Sequence, residues 1–415
     1  SPSLINAVSI HAIPLPNEDI RRGTPSVHWD ERVSRITESL GSVRPSFPLS
    51  VRDSFALTFI DGLSACEGQF MEAGYASGRF PVLFVGGSAG GRLDYEHTYL
   101  FDGSRIIENH AVVIFVKVAT GMAYSVLKSH NFRKTGVSFI VVDADPDRRT
   151  VSHVQDSKSG QIFPLVDYLT MLLDVTPGEL HNKLTGYSFG IDLEKEVYIR
   201  SAKFIELDRK EISFYCDINP GDELFLLEAD DFVETTRRDL VDFMRGKPRP
   251  VAAILNDCIR RRLDNAPDLD GLSSLWPFPV AGFSTFGEIF GININQTLTA
   301  VVFFEDRDGR FRDDFIDNFP ALYAGFAQTR LRRLMILNRL LVRAANTINK
   351  MTVGELPLKP LLGKYPDEIG YLANAFHRLM EKLLNNQKEM AQIIEFLPDP
   401  TFVLDQEQKV VFWNK

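Results

Sequence analysis

The chain has 415 residues, of which 44% are hydrophobic and 11% aromatic, and this is ample for several packed domains. Its net charge of −9 disfavours nucleic acid and anionic membranes as partners of the whole chain. Three cysteines without CxxC spacing argue against a disulfide framework and are typical of a reducing cytoplasm, and no apolar stretch approaches the 18 residues of a membrane span.

Up to about residue 318, short runs rich in valine, isoleucine and phenylalanine alternate with amphipathic segments. The predicted strands are 54–61, 81–85, 111–119, 138–144, 196–205, 212–218, 223–229, 251–257 and 297–304. The predicted helices are 64–77, 164–174, 230–245 and 313–326. This alternation predicts an α/β or α+β domain with mixed sheets.

Residues 85–91, VGGSAGG, place four glycines directly after the predicted strand 81–85. A Walker phosphate loop needs a lysine after its last glycine, but Arg92 follows Gly91. The GxGxxG dinucleotide fingerprint also fails, because the glycines lie at positions 86, 87, 90 and 91. The segment is therefore predicted to be a tight glycine turn that lets backbone approach backbone or a small ligand.

From about residue 327 the strand-like runs stop and apolar residues take heptad spacing. The first series is Leu334, Leu337, Leu341, Ala344, Ile348 and Met351. After a connector at 352–366, the second series is Ile369, Leu372, Phe376, Leu379 and Leu383. One chain supplies only two such helices, so residues 334–397 are predicted to form a homodimer as a parallel four-helix bundle.

The connector TVGELPLKP and the following DEIGYLANAFHRLMEKL resemble the HAMP signal-relay module. Asp367 can cap the second helix, and Ile369 enters its apolar seam. The first helix lacks the family's usual starting proline and follows no membrane span. The resemblance implies a two-helix, coiled-coil, HAMP-like relay at 327–390, and a plain helical hairpin linker is the alternative.

Residues 396–415, FLPDPTFVLDQEQKVVFWNK, resemble the opening of a PAS domain. About twenty residues cannot build a core of their own, whereas a complete PAS domain needs about a hundred. We therefore expect residues 391–415 to be the start of a truncated PAS domain, with an output domain missing beyond it.

The globular part resembles FIST sensory domains. The stretch beginning PVLFVGGSAGG resembles the N-terminal half, and EVYIRSAKFIELDRKEISFYCDI and GFSTFGEIFGININQTLTAVVFF resemble the C-terminal half. The resemblance implies an N-terminal extension at 1–29 and a ligand-sensing domain at 30–318, with halves of about 30–155 and 156–318. It also implies small-molecule ligands such as amino acids, and haem in a nitric-oxide-sensing subgroup to which AAILNDCIRRRLDN is similar.

Five residues are candidate ligand contacts. Gly87 and Ser88 lie in the glycine segment, where the hydroxyl and nearby amides could hold an anion, or could serve only the turn. Arg200 ends a strand-like run and could clamp a ligand carboxylate, or could form a structural salt bridge. Glu288 could receive an amine or lie solvated in a loop, and Asn295 could contact ligand or cap a strand.

His130 is the predicted axial ligand if haem is bound, because Arg133 and Lys134 nearby could meet the propionates. An ordinary hydrogen-bonded role is the alternative. The eight histidines include no HxH or HxxxH pair, so no metal site is expected. Cys258, beside Asp257 and three arginines at 260–262, is either a thiol of lowered pKa or a buried small hydrophobe.

No GxSxG, HExxH or kinase signature occurs, so the chain is predicted not to be an enzyme. The resemblances to FIST, HAMP and PAS modules together imply the ligand-sensing input region of a cytoplasmic bacterial signalling protein. It would bind a small molecule and transmit the change through the helical dimer. A haem-based nitric-oxide sensor is the alternative, and a small-molecule enzyme using the glycine cleft is the second alternative.

Overall fold

The computed structural model describes residues 3–92, 96–193 and 196–329, together with Met335 and the backbone of two short strands near the end of the chain. Backbone contacts divide the chain into two compact units, Ser1–Thr329 and Arg330–Lys415. The predicted dimer seam at 334–397 lies outside the described residues, apart from Met335.

Strands outnumber helices among the described residues. They are β1 Ile5–Pro14, β2 Ser54–Asp61, β3 Phe84–Ala89, β4 Leu100–Phe101, β5 Ile106–Ile107, β6 His110–Val118, β7 Met122–Ser129, β8 Phe132–Asp145, β9 Thr150–Asp156, β10 Ile162–Pro164, β11 Tyr187–Leu193, β12 Glu196–Arg200, β13 Ala202–Glu206, β14 Glu211–Phe214, β15 Glu223–Ala229, β16 Pro250–Cys258, β17 Val280–Phe290, β18 Ile292–Ile294, β19 Leu298–Glu305, β20 Phe402–Leu404 and β21 Val410–Trp413. In the second unit, β20 and β21 pair antiparallel within the segment predicted to open a PAS domain.

The helices connect these strands. They are α1 Glu18–Arg21, α2 Trp29–Gly41, α3 Glu67–Ala76, α4 Leu165–Leu173, α5 Pro177–Lys183, α6 Phe232–Met244, α7 Ile259–Asp264 and α8 Asp314–Ala327, with 3₁₀ helices at Leu184–Gly186 and Ala266–Leu275. None of the helices in the described part is both long enough and apolar enough to cross a membrane.

The larger sheet has nine strands in the order β1–β6–β2–β3–β17–β16–β19–β7, with β18 bonded to β17. Counted inward from either edge, the strand pairs follow the same pattern of antiparallel and parallel pairing. An edge strand pairs antiparallel with its neighbour, which pairs antiparallel with one member of a parallel pair, β2–β3 or β16–β17. The two halves meet at the antiparallel β3–β17 pair. Parallel pairs need a crossover, which α3 supplies on one side and α7 with the following 3₁₀ helix on the other.

The smaller sheet has eight strands in the order β12–β11–β15–β8–β9–β14–β13, with β10 bonded to β9. Its two edge strands, β12 and β13, are joined in the chain by Ser201 alone. The sheet must therefore curl until its edges come together, as in a barrel. Both sheets share one hydrophobic core, which contains Phe55 from the larger sheet and Phe139 and Phe189 from the smaller one. The prediction of an α/β domain with several sheets is confirmed for the first unit, but only the larger sheet is mixed, because every described strand pair of the smaller sheet is antiparallel.

The glycine segment is not the predicted turn over residues 85–89, because these residues, with Gly86 and Gly87, lie inside β3 at the centre of the larger sheet. Gly86 has a φ of +151°, and a Cβ there would overlap the backbone oxygen of Thr58 on β2. A Cβ on Gly87 would lie 2.6 Å from the oxygen of Gly287 on β17. The glycines therefore allow the central strands β2, β3 and β17 to approach closely. This is the predicted close approach of backbone to backbone, but it occurs inside a strand and not in a turn.

Other boundaries also differ from the sequence predictions. The predicted strand 196–205 is two strands, β12 and β13, on opposite edges of the smaller sheet. The segment 1–29 was predicted as an extension, but it contains β1, which pairs with β6 along its whole length. The larger sheet therefore begins well before the predicted domain boundary at residue 30.

Candidate functional site

The candidate site lies where β12 of the smaller sheet meets the β17–β18 hairpin of the larger one. An Arg200 guanidinium nitrogen, Nη1, donates to the backbone oxygen of Asn293. The backbone nitrogen of Asn295 donates to the oxygen of Ile199 at 3.3 Å. These two bonds bring the predicted residues Arg200 and Asn295 together at the junction of the sheets.

Arg200 is a buried cation, only 3% exposed, and its Nε has no hydrogen-bond partner within the described residues. None of the ion pairs found in the described ranges involves it, so the structural salt bridge considered for Arg200 is not seen there. The nearby thiol of Cys216 has its pKa raised to about 11 by burial, and the positive charge of Arg200 acts against that rise. A buried guanidinium without a carboxylate is energetically costly unless an anion joins it.

The side-chain amides of Asn293 and Asn295 are buried and pack over Gly287, in the segment whose backbone bonds to Arg200 and Ile199. A Cβ on Gly287 would lie 2.9 Å from Asn295 Nδ2 and 3.5 Å from Asn293 Oδ1, so glycine leaves the room that the amides occupy. Asn293 Nδ2 and Asn295 Oδ1 have no partner among the residues described. Sequence reasoning missed Asn293, although two polar residues two apart in the apolar run ININ would have indicated it.

Ser88 faces a carboxylate. Its hydroxyl donates to Oε1 of Glu67 at 2.9 Å, and the other oxygen of Glu67 pairs with Arg149. Arg149 Nη1 in turn donates to the backbone oxygen of Tyr215 at 2.6 Å. The hydroxyl hydrogen of Ser88 is therefore engaged, and its role as a ligand contact stays a prediction. Glu67 and Arg149 were not predicted, since neither lies in a recognisable motif.

Gln296 ties the same segment to the smaller sheet. Its Oε1 accepts from the hydroxyls of Ser188 at 2.8 Å and Ser201 at 2.6 Å, and its Nε2 donates to Asp264 at 2.8 Å. The backbone of Gln296 has a φ of +43°, an uncommon value for a residue with a side chain. These bonds hold the segment that follows β18 in one position.

Glu288 is paired in register with Gly87 and is fully buried. Its Oε1 accepts from the hydroxyl of Thr285 at 2.6 Å, and its Oε2 from the backbone nitrogen of Thr297 at 3.3 Å. Burial raises its pKa well above the usual range for a carboxyl group. The solvated-loop alternative for Glu288 is therefore wrong, and its role toward an amine stays a prediction.

Cys258 lies next to Glu288 and is likewise buried. Burial is the main cause that raises the pKa of its thiol, and the charge of Glu288 adds to it. The hypothesis of a thiol with lowered pKa is therefore wrong. The flanking arginines do not activate it, and Arg261 instead pairs with Asp257 at 3.0 Å.

Replacing Glu288 by glutamine should flatten the pH dependence of stability above about pH 5. Because the folded pKa lies above the unfolded one, the folded chain holds an extra proton between the two values. The free energy of unfolding then falls by about 1.4 kcal/mol per pH unit as the pH rises through that window. Thermal melts at intervals from about pH 5 to 8 measure the slope. Glu206→Gln, at an exposed site, is the control, and equal slopes in all three proteins would contradict the assignment.

His130 joins β7 to β8, and its Nδ1 is buried without a partner in the described part. Burial lowers its pKa to about 3, so the imidazole is neutral, the form that binds metals. Arg133 pairs with Glu228 and Lys134 with Asp192, each at 2.5 Å. The imidazole thus fits an axial haem ligand, whereas the two cations already have carboxylate partners. Across the described ranges, no group of three acidic, histidine or cysteine side chains could hold a metal ion.

Residues 6–156 match the FIST N domain, and residues 165–291 match the FIST C domain. The chain therefore carries a FIST N and a FIST C domain, which are sensory domains of signal transduction. The FIST N match starts within the predicted extension, in agreement with the place of β1. No curated protein matches the chain.

Proposed function

We propose that the FIST region binds a small anionic molecule at Arg200 and that this binding is the input of a signalling protein. The observation that carries the proposal is a guanidinium that is 3% exposed and has no carboxylate partner among the described residues. A ligand carboxylate would supply the missing charge and accept from the free Nε. The sensory nature of FIST domains supports the same conclusion.

The ligand is an amino-acid-like carboxylate in this proposal. Arg200 Nε and Asn293 Nδ2 are donors for carboxylate oxygens, and Asn295 Oδ1 is an acceptor for an adjacent ammonium group. All three atoms come from β12 and from β18 with its following residue, which are hydrogen-bonded to each other. Both carboxyl oxygens of Glu288 already accept hydrogen bonds, from Thr285 and from the backbone of Thr297, so Asn295 is the better candidate for the amine.

Arg200→Ala should weaken ligand binding about ten- to a hundred-fold, because a charge-assisted bidentate contact is worth roughly 1.5–3 kcal/mol. Arg200→Lys should recover little, since an ammonium cannot reproduce the planar fork. A thermal-shift screen of L-amino acids and small carboxylates identifies the ligand, and titration calorimetry measures the affinities. Arg133→Ala, which removes an exposed ion pair with Glu228, is the control. Unchanged affinity in a folded Arg200→Ala protein would refute the site.

The proposed signal leaves through the HAMP-like segment 327–390, and the proposed dimer forms through residues 334–397. Ligand binding would shift a bundle with two packings from one to the other. The output, beyond a PAS domain that starts at 391–415, would be a histidine kinase, a diguanylate cyclase or a methyl-accepting module. Heptad spacing and the HAMP-like connector support this part, and the cytoplasmic location belongs to the same proposal.

A haem-based nitric-oxide sensor is the second candidate, favoured by the neutral, buried imidazole of His130 with its unpartnered Nδ1. A Soret band in protein purified from cells would support it. If no band develops after haem is added, the organic ligand is favoured. Turnover of an amino-acid-like compound would instead support the enzyme alternative.

A further inference from the structure

We propose that Phe326, in the last turn of α8, couples the Arg200 site to the segment that follows α8 in sequence. This inference rests on the proposed function, which makes Arg200 the ligand-binding residue. It adds the route by which ligand binding at Arg200 would reach the end of α8. Its basis is a single aromatic ring that packs on both elements that build the site.

Phe326 is 5% exposed and lies against β12 and the β17–β18 hairpin together. Its ring is 6.1 Å from the ring of Tyr198 on β12 and perpendicular to it. A Cβ on Gly291, the residue between β17 and β18, would overlap the Phe326 ring. The ring therefore packs directly on the backbone of the hairpin turn, with no space between them.

Both contacts lead to Arg200. Tyr198 and Arg200 are two residues apart on β12, so their side chains point to the same face of the strand. Arg200 also holds the backbone oxygen of Asn293, two residues beyond Gly291. A shift of Arg200 toward a ligand would therefore move both surfaces on which the Phe326 ring rests.

The two ends of α8 are held differently. At its beginning, Asp313 accepts from the backbone nitrogen of Ile316 at 3.0 Å and from the hydroxyl of Ser125 at 2.6 Å, and it pairs with Lys247 at 3.1 Å. Pro320 lies inside the helix, where it has no N–H to donate to the preceding turn. The first half of α8 is thus anchored to the larger sheet by polar bonds. The half that carries Phe326 follows the proline and is held by ring contacts, with Tyr75 on α3 and with Tyr198 on β12.

Hydrogen exchange in the full 415-residue chain, without any ligand, tests the route. Arg200→Ala should speed exchange of the backbone amides at 321–329 roughly tenfold, because the surfaces under Phe326 loosen. Exchange at 316–319 should change less. Arg32→Ala is the control, since Arg32 is equally buried but bonds to Asp19 and Pro16. Equal exchange at 321–329 in Arg200→Ala and the parent, or an equal increase in Arg32→Ala, would overturn the proposal.

A double-mutant cycle tests the role of Phe326 itself. If Phe326 carries the coupling, Phe326→Ala should speed exchange at 321–329, and adding Arg200→Ala should change it by no more than about twofold. Additive effects would overturn the proposal, and Phe326→Leu takes the place of alanine if that variant is insoluble. The exchange experiments use no ligand. An unchanged ligand affinity of Arg200→Ala in calorimetry would therefore refute the binding site but not the coupling through Phe326. Unchanged exchange would refute the coupling but not the binding site.

Discussion

Gly86→Ala is expected to destabilise the chain by roughly 4 kcal/mol or more, or to leave it insoluble. Gly86 has a φ of +151°, which residues with a side chain rarely adopt, and its partner across the parallel pair is Thr58. An added methyl group would overlap the Thr58 backbone oxygen, so β2 and β3 would have to separate at the centre of the nine-stranded sheet. Soluble yield and the midpoint of thermal unfolding measure the effect.

Gly41→Ala is the matched control for this variant. Gly41 ends α2, has no positive φ and has no heavy atom within 4 Å of an added Cβ. Its replacement should change stability by less than about 1 kcal/mol. If Gly86→Ala melts at the same temperature as Gly41→Ala, then β2 and β3 do not approach as closely as the structure has them.

Ile369→Asp is expected to convert the proposed dimer to a monomer while the FIST region stays folded. Ile369 opens the second heptad series, and a carboxylate placed in that seam would be buried without a partner, at a cost of several kcal/mol. Phe376→Asp should act in the same way. Light scattering coupled to gel filtration at micromolar concentration gives the mass, and circular dichroism checks the fold.

Asn374→Asp is the control for the seam, because position 374 lies off the heptad series and a charge there stays solvated. It should leave the mass unchanged. An Ile369→Asp protein as dimeric as its parent would show that the bundle assignment is wrong. A monomeric parent would refute dimerisation through 334–397 altogether.

The sequence predicted those strands whose own residues are apolar enough to mark them. The predicted ranges 54–61 and 223–229 coincide with β2 and β15. β17 was missed, because VAGFSTFGEIF contains two glycines and several polar residues. Its strand conformation comes from pairing with β16 on one side and β3 on the other, which a local pattern does not contain.

The candidate site was predictable only in part. Arg200 was chosen because a guanidinium on a rigid strand suits a carboxylate, and its burial agrees with that reasoning. The partners around it come from distant parts of the chain. Asn293 lies 93 positions from Arg200, and the bonded pair Glu67 and Arg149 beside Ser88 is 82 positions apart. Such proximity depends on the curled smaller sheet and on the β3–β17 pairing at the centre of the larger sheet, so no local spacing reveals it.

Because of the strand order of the larger sheet, some strands are synthesised on the ribosome long before the strands with which they pair. β7 ends at Ser129, yet its neighbour in the sheet, β19, is complete only at Glu305. β3 likewise ends at Ala89, whereas its partner β17 is complete only at Phe290. At typical rates of synthesis, these edges stay unpaired for roughly ten to forty seconds. The FIST N segment thus emerges before its sheet can close, and it is expected to need chaperone protection until the FIST C strands arrive.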